Sequence, residues 1–137
     1  MTMTLMNSDE QLPLSSGRAC VLRSRPLPLL PTYHVLFLAS DGREPTSCAE
    51  HEMFGLAHDA AARLGQRFFG DPGCYTIVFS GGKTRRRAWP HFHIVAVRGI
   101  AEKRRALLLL MIKRVLTAVQ NLRSALGRAL EKAGRHG

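Results

Sequence analysis

Two histidines stand two residues apart in the segment Trp89 to Val97, WPHFHIVAV. Its β-branched and aromatic content predicts a strand. Successive strand residues point to opposite faces, so Trp89, His91, His93, Val95 and Val97 share one face. Pro90, Phe92, Ile94 and Ala96 share the other, the natural core face. An imidazole titrating at about pH 6.5 can act as nucleophile, acid, base or metal ligand at neutral pH. Two on one strand face can work together, one attacking or ligating while the other orients it. The alternative is a pair of half-exposed histidines on the solvent face of a sheet.

The residues just before the pair favour chemistry. Ser80 to Arg87 reads SGGKTRRR. Gly81, Gly82, Lys83, Arg85, Arg86 and Arg87 combine cationic side chains with accessible backbone N–H groups, the donors a phosphate needs. A third histidine, His34, begins an earlier apolar strand and reaches the same site if the two strands are neighbours. The GGKT segment is not a P-loop: the first glycine of that motif would fall at Ile77, and no helix follows Thr84.

These residues need a scaffold. Met1 to Ser16 is polar and turn-rich, and reads as a loose tail over 1–17. Arg18 to Leu22 reads as a short strand. Pro26, Pro28 and Pro31 make the next stretch an extended connector. Tyr33 to Ala39, YHVLFLA, is a buried strand. Ser47 and Glu50 form a capping-box pattern. Met53, Ala57, Ala60, Leu64 and Phe68 then recur at helical spacing, which predicts a helix over Cys48 to Phe69 ended by Gly70 to Gly73. Cys74 to Phe79 is another strand. From Ala101 to about Ala133, Leu108, Ile112, Val115, Val119, Leu122, Leu126 and Ala129 alternate at spacings of four and three, a heptad seam. The expected order is strand, strand, helix, strand, strand, helix: an α+β domain over 18–100 with a mainly antiparallel sheet, followed by a long basic helix over 101–137.

The chain has 137 residues, 20 Lys and Arg against 10 Asp and Glu, and a formal net charge of +10. That excess suits anionic partners, among them nucleotides, phosphorylated small molecules and nucleic acid. Beyond Gly99 the only acidic residues are Glu102 and Glu131. Cys20, Cys48 and Cys74 are odd in number and far apart, against a disulfide framework or a cysteine zinc site. No leader pattern opens the chain, and the longest apolar run, Ala106 to Ile112, is far too short for a bilayer. A cytoplasmic protein with no membrane role, no metal and no cofactor is expected.

In this order and spacing, PTYHVLFLAS, the helix from Cys48 to Phe69, and CYTIVFSGG followed by HFHIV resemble the histidine-triad (HIT) superfamily over roughly Cys20 to Arg98. The resemblance implies a HIT-like fold and a nucleotide phosphate hydrolase or nucleotidyl transferase. In that family the middle histidine attacks an α-phosphate and forms a nucleotidyl-histidine intermediate. In the preferred register His91 is the first histidine, His93 the nucleophile, and Val95 fills the third position. The other register places Trp89 first, His91 as nucleophile and His93 third. His34 and Ser80 would be pocket residues in both. One histidine of the triad is missing, and Arg85 to Arg87 replace small polar residues, so a degenerate relative that only binds is part of the same reading.

Two other readings compete. His-x-His on a strand also marks metal-dependent nucleases of single-stranded DNA, but Tyr33 and Tyr75 both fall in predicted strands rather than on a helix after the motif. The third reading is a non-catalytic basic module that binds nucleic acid. The heptad seam packs on its own domain or forms a homodimer.

Overall fold

The computed structural model describes residues 9–81 and 89–135. It is an α+β structure with a five-stranded antiparallel sheet and two helices. The strands are β1 (Glu10–Pro13), β2 (Ala19–Ser24), β3 (Tyr33–Leu38), β4 (Tyr75–Phe79) and β5 (His91–Ala96). Helix α1 spans Ser47–Phe69 and α2 spans Ile100–Gly134. The sheet order is β1-β2-β3-β5-β4. Two compact units emerge, Met1–Lys103 and Arg104–Gly137, with the boundary inside α2 rather than at its start. No described helix is long and apolar enough to cross a membrane.

The expected loose tail over 1–17 is corrected in its second half. Residues 10–13 form β1, which pairs antiparallel with β2. Alternation is too short there to stand out. Two ion pairs anchor the region: Asp9 with Arg23, and Glu10 with Arg63 of α1 at 2.7 Å. The turn after β1 is also tied to α1, since Ser15 donates to Glu52 through its backbone N–H (2.7 Å) and its hydroxyl (2.8 Å).

Helix α1 starts one residue earlier than the Ser47 capping box implies. Thr46 is the N-cap, its hydroxyl accepting from the Ala49 N–H at 3.1 Å. Either side chain could cap; Thr46 holds the extended backbone that a cap requires. Gly70 ends the helix in the left-handed conformation (φ 71°) that glycine adopts without penalty. Strand β5 begins at His91 rather than Trp89, because Pro90 has no N–H to give to a ladder.

Met53, Ala57, Ala60, Ala61 and Leu64 of α1 pack against Leu36, Leu38, Phe92, Ile94 and Ala96 of the sheet. Phe54 meets Phe79 and Phe92 edge-on at 4.8 and 4.9 Å, and Phe79 stacks on Phe92 at 4.5 Å. Cys20 lies in this core, and burial pushes its thiol up to about 11, so it is a packing residue.

One position on α1 must be glycine for β4 to arrive where it does. A Cβ on Gly65 would lie 2.7 Å from the Asp71 carbonyl oxygen and 3.1 Å from that of Cys74. Both are backbone atoms of the turn that feeds β4, so neither can swing aside. Gly65→Ala is therefore expected to destabilise the fold by about 1–3 kcal/mol. Gly55, on the exposed side of the same helix, has nothing within 4 Å. Gly55→Ala should stabilise by about 0.5–1 kcal/mol. Urea unfolding of the two variants checks the opposite signs.

Candidate functional site

The ladder registers assign each side chain to a face. His93 lies opposite Val35 on one side and Val78 on the other, and His91 lies opposite Phe37. His91, His93, Val35, Phe37 and Val78 therefore share the sheet face away from α1, and all are half-buried. Phe92, between the two histidines, and Ile94, after them, are fully buried on the core face. The face assignment expected for His91 and His93 is the one the structure has.

Each histidine of the pair is oriented through Nδ1, by a different kind of partner. His91 Nδ1 lies 3.2 Å from the Trp89 carbonyl oxygen. A carbonyl only accepts, so His91 carries its proton on Nδ1 and a neutral ring presents a lone pair at Nε2. His93 Nδ1 lies 2.6 Å from the Tyr33 hydroxyl. Tyr33 is buried and stacks beside the His93 ring, with centroids 5.8 Å apart and planes 21° apart. A phenol is a far stronger acid than a neutral imidazole N–H, so the favoured neutral arrangement has Tyr33 donating to Nδ1. That leaves the proton of His93 on Nε2. The two rings meet edge-to-face at 5.0 Å. In the neutral pair, His91 Nε2 is thus an acceptor and His93 Nε2 a donor.

Tyr33 reaches His93 because of the register. Its direct partner on β5 is Val95, which makes His93 its diagonal neighbour on the same face. A tyrosine spans that diagonal and a shorter side chain would not. Tyr33 was not singled out as a site residue from the sequence. Its strand parity, shared with Val35 and Phe37, is the signal that could have found it.

His34 does not join the pair. Strands β3 and β5 are neighbours, as the expectation required, but His34 lies opposite Ile94 and faces the core side. There it is buried, its Nδ1 donates to the Thr32 carbonyl at 2.9 Å, and its ring lies 6.3 Å from that of Phe68. Burial holds its pKa below the ordinary imidazole value of 6.5, against the opposing effect of the Thr32 bond. Ser80 follows β4 directly and continues the parity of Thr76 and Val78, the residues opposite Val95 and His93. Gly81 is exposed. Gly82, Lys83, Arg85, Arg86 and Arg87, the expected phosphate-binding residues, lie outside the described residues. Among the described residues, no group of three or more His, Cys, Asp or Glu is arranged to hold a metal ion.

A buried arginine fixes the entry to β5. Arg18 pairs with Asp41 at 3.0 Å, donates to the carbonyls of Glu44 (3.1 Å) and Arg43 (3.2 Å), and lies 5.7 Å from the Trp89 ring centre. It ties the loop before α1 to the residue whose carbonyl orients His91.

Two outcomes check this geometry. Nitrogen-15 shifts of the imidazoles at pH 8 should show His91 protonated on Nδ1 and His93 on Nε2, and Tyr33→Phe should abolish the preference at His93 alone. His34 should make stability pH-dependent. Its unfolded form binds more protons than its folded form between the lowered folded value and about 6.5. Stability is therefore complete above that window and is lost as the pH falls through it. The difference in urea midpoint between the native chain and His34→Asn, followed from pH 8 to pH 5, isolates the effect. No family model, no curated protein and no solved structure matches this chain.

Proposed function

We propose that the chain is a HIT-like nucleotidyl-transfer or nucleotide-phosphate hydrolase protein whose chemistry lies at His91 and His93. The observation that carries this reading is the contrast at Nδ1, Trp89 carbonyl on one ring and Tyr33 hydroxyl on the next. It supports an exchange of the roles preferred from sequence. His91, with a lone pair at Nε2, is the attacking group. His93, with N–H at Nε2, is the donor to a phosphoryl oxygen.

In the first step, His91 Nε2 attacks the α-phosphorus of a nucleotide and forms an N–P bond. The bond from phosphorus to the leaving group breaks. The leaving group departs with the bonding electrons and takes a proton from solvent. Water then attacks phosphorus and releases one proton to solvent, the N–P bond breaks with its electrons returning to His91 Nε2, and His91 recovers its lone pair. The His93 N–H stabilises the charge that builds on phosphoryl oxygen. In sequence, the segment leading into β5 carries Lys83 and Arg85 to Arg87, the charge such a substrate requires. The net charge of +10 supports an anionic substrate over a neutral one.

The His34 position narrows the reading: the chemistry rests on His91 and His93, with Tyr33 orienting His93 and without a third histidine from β3. A nucleoside 5′-phosphoramidate is the probe. An acid-labile, alkali-stable nucleotidyl adduct should appear on His91 by mass spectrometry. His91→Ala should remove it and lower turnover on the order of 10³-fold or more. His93→Phe should lower turnover by about 10²-fold while the adduct still forms. An adduct on His93 that survives His91→Ala would restore the other register. A chain that binds the nucleotide but forms no adduct overturns the catalytic reading.

A further inference from the structure

Ala106 and Leu110 of α2 are buried, but its heptad seam from Leu108 to Leu126 is exposed. Leu108, Ile112, Val115, Val119, Leu122 and Leu126 each leave 45 to 62 % of their surface open. Their spacings of four and three place Ile112, Val119 and Leu126 at heptad position a, and Leu108, Val115 and Leu122 at position d. A seam in strict heptad phase turns against a straight helix by about 20° per heptad, so its regularity suits a supercoiled helix pair. A helix lying on a flat surface needs no such phase.

We propose that α2 is a self-association helix whose partner is α2 of a second copy of this chain, paired in parallel. Three observations select that occupant. β-branched residues at two of the three a positions, with leucine at two of the three d positions, is the distribution that favours a parallel pair. The six seam residues, with Met111, Leu116 and Leu130 on their flanks, present on the order of 900 Å², close to the ~800 Å² per partner that a stable interface buries. Charge agrees as well. A parallel pair sets each g residue beside the e′ residue five positions on, and these contacts are Met111 with Leu116, Ala118 with Arg123, and Ala125 with Leu130. None brings like charges together, although the helix carries a strong basic excess. Lys113, Arg114 and Arg128 fall at b and c, on the side away from the seam.

Sedimentation equilibrium of the full chain tests this. A dimer is expected, and the double variant Val119→Asp/Leu122→Asp should be monomeric. Because that change could also unwind α2, a second pair of variants leaves the seam intact. Ala118→Arg faces Arg123 of the other copy only in the parallel register and should weaken dimerisation roughly fivefold. Ala118→Glu should strengthen it by a similar factor. A chain that stays monomeric at high concentration overturns the proposal, whether or not it binds vesicles of anionic lipid. So does a dimer indifferent to the seam variant. A dimer that responds alike to arginine and glutamate at position 118 overturns the parallel pairing.

Discussion

Strand β5 lies between β3 and β4, and ladders on both of its edges leave it no freedom of register. A slip of one residue would take Phe92, Ile94 and Ala96 out of the core against α1 and carry His91 and His93 into it. Burying three apolar side chains is worth several kcal/mol at about 25 cal/mol per Å², and burying two unpartnered imidazoles would cost more again. The same alternation therefore does two jobs. It locks the core to α1 and holds two imidazoles together on the far face. Tyr33 depends on it too, because its hydroxyl meets His93 only along the diagonal that this register creates.

The rest of the first unit sets where that face sits. Gly65 lets the turn before β4 press against α1, and β4 then closes the outer edge of β5. Arg18 holds the loop before α1 against Trp89, and the Trp89 carbonyl is the atom that sets the His91 tautomer. A buried guanidinium is stable only when its donors are matched. Here Asp41 and two backbone carbonyls serve, while Nε has no partner among the described residues. Core packing, a paired buried charge and a backbone carbonyl thus act in series on one imidazole.

The strand HFHIVA was legible because period two over His91 to Ile94, with aromatic and branched side chains, leaves little else to form. Helix α1 was legible for the same reason at period 3.6, and its end because Gly70 to Gly73 cannot continue it. Other features depend on long-range partners that no local pattern carries. Residues 10–13 are a strand because β2 offers them an edge, and Asp9 and Glu10 find arginines on β2 and α1. His34 was expected beside the pair because neighbouring strands were enough to suggest it. Its face follows instead from which residue of β5 it meets, Ile94 rather than His93, and that register is a tertiary fact. The Tyr33 contact was hidden for the same reason.

The histidines also show why residue type alone is a weak guide to role. His34 and His91 make the same local bond, Nδ1 to the carbonyl two residues back. Both therefore present Nε2 as the acceptor when neutral. One does so in the core, where burial holds the ring neutral. The other does so half-buried on the opposite face, next to a ring whose proton Tyr33 sends to the opposite nitrogen. The difference between a packing histidine and a candidate nucleophile in this fold is one step of strand parity together with the neighbour on the same face. Whatever His93 contributes at the pair then depends on the hydroxyl of Tyr33, which belongs to a buried residue and is placed to act through His93.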